Sequence, residues 1–94
     1  MIFEWDDHKN RINLAKHGVS FEEAAEIFAL RTTLFIDDGE VVAGENRWKA
    51  VGSKNGFRYL LVIHTYPPSE DGEERIRIIS ARKLGKNEVQ KWLW

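Results

Sequence analysis

A chain of 94 residues with a formal charge of −1 has the size of one compact domain, in which folding buries only about two-thirds of the surface the unfolded chain exposes. It contains no Cys, which excludes a disulfide framework and a thiolate metal site and fits a reducing compartment. The near-neutral total conceals a split: residues 1–46 hold four Lys/Arg and ten Asp/Glu, and residues 47–94 hold ten and five, so the second half suits an anionic partner.

The opening "IFEW" (2–5) alternates and is aromatic enough for a short strand, and Asp6 or Asp7 can cap a helix through residues 8–17 that ends at Gly18. In "SFEE", Ser20 and Glu23 have capping-box spacing and start a second helix, whose Phe21, Ala24, Ala25 and Phe28 form one apolar stripe. The period then shifts towards two. "TTLFID" reads as a strand, "DDGE" as a turn, "ENRWKAVGS" as a strand broken near Gly52, and "KNG" as a hairpin signal. "FRYLLVIHT" has a continuous apolar centre, Tyr59 to Ile63, as expected of a middle strand covered on both faces. "YPPSEDGEE" is a solvated loop, "RIRIISA" the next strand, and a last helix begins around Gly85 with Glu88 in its first turn. The predicted order is β-α-α-β-β-β-β-α, an α+β domain over residues 1–94 with an antiparallel sheet. No apolar run approaches the roughly 20 residues of a membrane span, and "MIFEWDD" is acidic where a signal peptide is basic. A cytoplasmic location is the expectation.

The segments "FEWDDHKNRINLAKHGVSFEEAAEIF", "HT" and "RIRIISARKLGKNE" resemble, in order and spacing, the BrnT family of type II toxins. "KHGVSFEEA" and "RIISARK" are the most specific pieces. The resemblance implies a small ribonuclease with a RelE-like fold that inhibits translation and is neutralised by a BrnA-like antitoxin in a hetero-oligomer. Trp92 stands where relatives carry an aromatic, usually Tyr, and Gly85 stands at a helix start where Ser or Thr is the expectation.

Cleaving RNA without a metal takes a base for the 2′-hydroxyl proton, cations for the charge on the phosphate, and an acid for the leaving oxygen. Arg75 and Arg77 alternate with Ile76 and Ile78, which gives one cationic strand face or an ordinary amphipathic pattern. Arg82 and Lys83, with Ser80 just before them, lie where that strand ends, and Arg82 can offer a planar fork to a phosphate. His64, near the end of the middle strand, is the candidate acid or base, or else a hydrogen-bonded structural residue. Catalytic candidates are therefore Arg82, Arg77, His64 and Lys83. Arg47 and Lys49 share a strand face and join Lys16 and Ser80 as RNA-binding candidates, while Trp48 takes the other face and reads as core. His17 suits a helix C-cap, and Lys9, Asn13 and Lys16 share a helical face that can simply be solvated.

Histidines at 8, 17 and 64 make no i, i+4 pair, so neither a metal nor another cofactor is expected. Two other functions compete with the nuclease: a non-catalytic RNA-binding module and a protein-interaction domain. The aromatic-rich "VQKWLW" is a candidate antitoxin anchor. Strand register decides which cations converge, since a one-residue slip sets His64 and Arg77 on opposite faces.

Overall fold

The computed structural model describes residues 1–93, apart from the side chains of Asp38 and Leu93. Helix α1 (Asp7–His17) opens on Asp6, whose carboxylate accepts from the Lys9 N–H at 3.0 Å. It closes on Gly18, which takes the left-handed φ of 70° and donates to the Leu14 carbonyl at 2.8 Å. Helix α2 (Phe21–Glu26) opens on Ser20, whose hydroxyl accepts from the Glu23 N–H at 3.0 Å, and runs into a 3-10 turn over Ile27–Ala29.

The strands are β1 (Ile2–Glu4), β2 (Leu34–Val42), β3 (Glu45–Gly52), β4 (Leu60–Thr65) and β5 (Arg75–Lys83), followed by α3 (Lys86–Leu93). They form one sheet in the order β1-β5-β4-β3-β2. The class is α+β, with the element order predicted. Two local expectations are corrected. β1 runs parallel to β5, so the sheet is antiparallel only from β5 to β2. "DDGE" is not the turn: β2 continues through it with an irregularity between Asp37 and Val41, where Gly39 has φ 78°. The chain reverses instead at Ala43–Gly44, with φ of 52° and 80°. Two successive positive φ values match the twist of a two-residue hairpin.

One face of the sheet packs on α1 and α2. Ala50, Leu60, Val62, Ile76, Ile78 and Ala81 meet Val19, Phe21, Ala24, Ile27 and Phe28 in a single core cluster. Gly52 lies under the segment after the 3-10 turn, and a Cβ there would fall 2.5 Å from the Thr33 hydroxyl. That hydroxyl is itself fixed by donating to the Ile27 carbonyl at 2.6 Å. Only glycine fits this crossing.

The register of β4 and β5 contains a β-bulge. Ile63 pairs with Ser80 and His64 with Ile78, leaving Ile79 without an opposite residue. Since side chains alternate along a strand, the extra residue reverses the phase of β5 at this point. Ile76 and Ile78 face the helices before it and Ala81 faces them after it. Arg75 and Arg77 therefore share the opposite, open face with Ser80 and Arg82.

Asn13 is not solvated, as its helical position suggested, but 6% exposed. Its amide donates to the Val19 and Ala81 carbonyls at 2.9 and 2.8 Å, and its carbonyl accepts from the Ala81 N–H at 3.2 Å. Beyond the short β1, the side chain of Asn13 thus completes the free edge of β5. This pins α1 beside the bulge.

Candidate functional site

The open face is built in rows by the strand registers. One row holds Glu4, Arg77 and Thr65, and Arg47, two residues from Lys49 along β3, lies on the same face near the end of the sheet. The next holds Ser80, Ile63, Lys49 and Ile36, and a third holds Arg82, Leu61, Val51 and Leu34. Five of the eight sequence candidates therefore converge: Arg77, Arg82, Arg47, Lys49 and Ser80.

Most of these arginines carry carboxylate partners. Arg77 donates to Glu45 at 3.0 Å and lies 3.8 Å from Glu4. Arg82 donates both terminal nitrogens to Glu88, at 3.1 and 2.8 Å. Arg75 pairs with Asp71 at 2.9 Å, in the acidic loop. Among the described residues no carboxylate pairs with Arg47. A guanidinium has five N–H donors in a fixed fork, so such pairing orients it and leaves donors for a phosphate.

The Arg82–Glu88 pair also fastens α3. The Glu88 carboxylate accepts from the Gly85 N–H at 3.0 Å, which supplies part of a helix cap although Gly85 has no side chain. Arg82 and the Gly85 amide together hold the Glu88 carboxyl down at about 2. Trp92 lies under the Lys49 ammonium, 5.9 Å from ring centre to nitrogen, so α3 reaches over the open face. Trp94, the other aromatic of the candidate anchor, lies outside the described residues.

The remaining candidates stand elsewhere. His64 pairs with Ile78 and so points to the helices, fully buried between Phe28, Phe35 and Tyr66. The expected grouping of His64 with Arg77 is corrected: adjacent Thr65, not His64, stands opposite Arg77. Burial pushes the His64 pKa down, against a weaker opposing effect of the Val62 carbonyl 3.4 Å from Nδ1. Its Nε2 lies 3.3 Å from the Tyr66 hydroxyl. A neutral ring that donates from Nδ1 and accepts the phenol proton at Nε2 satisfies both contacts. Lys83 pairs with Leu60 and so projects to the side opposite Arg82, beside Tyr59 and Phe57. Lys16 lines a groove at the α1–β5 edge together with Lys9, His17 and Ser80, which extends the open face sideways. Trp48 is half-buried rather than core, edge-on to Tyr66 at 5.6 Å.

Sequence reasoning missed Glu4, Glu45 and Glu88 as partners of the cations. The capping position of Glu88 was visible, but its second role depends on the bulge that turns Arg82 towards it. Among the described residues no cluster of His, Asp and Glu has the arrangement to hold a metal ion. No helix is long and apolar enough to cross a membrane.

A mixed sheet with α1 and α2 on one face and ion-paired arginines on the other defines the class of small α+β proteins to which the comparisons also lead. Residues 5–88 match the family described as "Ribonuclease toxin, BrnT, of type II toxin-antitoxin system". The structure is similar to that of the Brucella abortus ribonuclease toxin BrnT, with 28% identity, a TM-score of 0.66, and coverage of 92% of this chain and 100% of that one. No curated protein sequence matches the chain. The chain belongs to the BrnT family of type II toxin–antitoxin ribonuclease toxins.

Proposed function

We propose that this protein cuts RNA by metal-independent transesterification, so inhibiting translation, with the scissile phosphate held over the open face between Arg77 and Arg82. The observation that carries this reading is the bulge at Ile79, which turns two arginines of opposite strand phase onto one face beside Lys49. In the reaction the 2′-oxygen bonds to phosphorus while the bond to the 5′-oxygen breaks. The 2′-hydroxyl gives up its proton and the 5′-oxygen gains one, which leaves 2′,3′-cyclic phosphate and 5′-hydroxyl ends.

Arg77 and Arg82, already oriented by carboxylates, stabilise the charge that builds on the non-bridging oxygens without reorganising. Arg47, Lys49, Ser80 and Lys16 hold the flanking backbone. The general base is not His64, which the sheet separates from this face. Nor does Glu88 suit that role, because a carboxyl held at about 2 is too weak a base near neutrality. The carboxylates beside Arg77, Glu4 and Glu45, are the bases within reach of the same phosphate.

A BrnA-like antitoxin silences the chain in a hetero-oligomer by covering these cations with an acidic segment. The test is incubation of purified protein with RNA in EDTA, beside an Arg82→Ala preparation made identically, with analysis of the fragment ends. Cleavage that survives EDTA, leaves cyclic phosphate, and runs about 100-fold faster in the wild type than in Arg82→Ala is expected. Cleavage that needs an added divalent ion overturns the mechanism, and nuclease activity in a stable stoichiometric complex with the antitoxin overturns the masking.

A further inference from the structure

Beyond the Trp48–His64 pair, β3 and β4 diverge. β3 continues along β2 to the turn, whereas β4 stops at Thr65 and the chain leaves through Tyr66. The cleft between the two ends, about 590 Å³, is lined by Glu45, Asn46, Trp48, Thr65 and Tyr66, with Pro68 at its margin. Three features distinguish it from the rest of the surface. The Trp48 and Tyr66 rings stand at 76° to one another and form a corner of two aromatic walls. Thr65 is only 2% exposed, yet among the described residues its hydroxyl has no hydrogen-bond partner. No cation is among the lining residues, and the charge present there is the Glu45 carboxylate, already bonded to Arg77.

Burying a hydroxyl without a partner is unfavourable, so the fold carries an unmet donor and acceptor under this cleft. The Arg77–Glu45 pair explains the burial: it joins β5 to β3 across the intervening β4, at the row of Thr65. Through Glu45 the same pair connects the cleft, whose Trp48 and Tyr66 walls lie on the helix side, to the arginine row of the open face around the end of β4.

We propose that this cleft holds one unpaired nucleobase of an RNA whose phosphates cross the open face. This rests on the reading of that face as an RNA site and adds what selects the cleavage position. The aromatic corner suits a flat neutral ring, which stacks on one wall and turns its edge towards the other. The exposed Asn46 amide offers both a donor and an acceptor to a base edge. A phosphate does not fit, because the lining would set it against Glu45 with no cation of its own. The neighbouring Arg77 and Arg47 take the phosphates on either side of the inserted base.

The test uses the full chain and two readouts. In NMR titrations, nucleoside monophosphates shift the Trp48 indole N–H and the Asn46 side-chain amide, whereas inorganic phosphate alone leaves both in place. In RNA digests, Asn46→Ala, an exposed substitution that spares the core, redistributes cleavage among positions while total cleavage persists. Trp48→Leu lowers cleavage at the preferred position by about 5- to 150-fold, the scale of losing one stacked base. Equal shifts with inorganic phosphate, shifts confined to the arginine rows, or an unchanged cleavage pattern in both variants overturns the base site. Nucleotide-induced shifts at Trp48 in a protein that cuts no RNA sustain the base site and overturn the nuclease instead.

Discussion

Replacing Asn13 by Ala removes three hydrogen bonds whose partners are backbone groups, the Val19 carbonyl and both the carbonyl and the N–H of Ala81. Each such bond contributes about 0.5–1.5 kcal/mol net, and a buried peptide group left unpaired costs more. Water reaching the sheet edge can recover part of the loss. The expected destabilisation is therefore about 3 kcal/mol, which for a domain near this size lowers Tm by about 12–24 °C. Urea and thermal unfolding followed by near-ultraviolet circular dichroism measure it, with an unchanged urea slope showing that both end states keep their compactness. The loss is also local, because α1 would loosen from the bulge before the sheet opens. Hydrogen exchange at Ala81 should accelerate more than at Val62, whose strand neighbours are intact. A Tm within about 4 °C of the wild type would refute the role of Asn13 as the missing edge partner of β5.

Arg82→Ala is expected to slow RNA cleavage by about 100-fold, the scale of losing one preorganised transition-state ligand, whereas Arg75→Ala, whose partner is in the acidic loop, should change it little; initial rates on one RNA compare them. His64→Gln should leave the pH–rate profile unchanged in shape but alter stability. Because the folded pKa of His64 is depressed, its contribution is fully present above the unfolded value of 6.5 and declines as the pH falls below it. Tm against pH for the two proteins reads that slope, which the variant should lose. Gly52→Ala should cost about 1–3 kcal/mol through its collision with Thr33, seen as a lower urea midpoint. The Arg82–Glu88 link, with Glu88 at about 2 when folded, is present above the ordinary carboxylate value of 4.5 and is lost as the pH falls through about 2; the NMR signal of the Trp92 indole N–H should report the release of α3.

Helix starts were legible because capping is a local transaction between neighbours: Asp6 with Lys9, Ser20 with Glu23. The covered middle strand was legible for the same reason, a short apolar run with turn signals on each side. The orientation of His64 was not. In a strand with apolar residues on both faces, alternation carries no mark of which face is which, so Leu61 and Val62 look alike until the partners are known. Asn13 was missed because a polar residue in a largely polar helix is silent about the strand edge beside it. "DDGE" misled because its composition is that of a turn, while β2 absorbs it as an irregularity and Ala43, an unusual residue for positive φ, makes the reversal. Of the candidate site, residue types could be read from the sequence. Their convergence depended on pairings between strands distant in the chain.

The unpaired Ile79 makes the site depend on a count of residues rather than on their identities. Both Ile78 and Ile79 are apolar, so deleting either leaves a strand that still reads as well formed, with every charged residue retained. The shortened strand would be regular, with Ser80 still opposite Ile63 and Arg82 still opposite Leu61, so Arg77 and Arg82, then four residues apart, would keep the open face and Glu88 its guanidinium. Such a change would register as one gap between related sequences while preserving the cationic face, whereas straightening the strand at its present length would turn Arg82 to the helices. Within this chain, then, the spacing between Arg77 and Arg82 is under a parity constraint: an odd separation works only while one residue bulges, and an even one would require a regular strand.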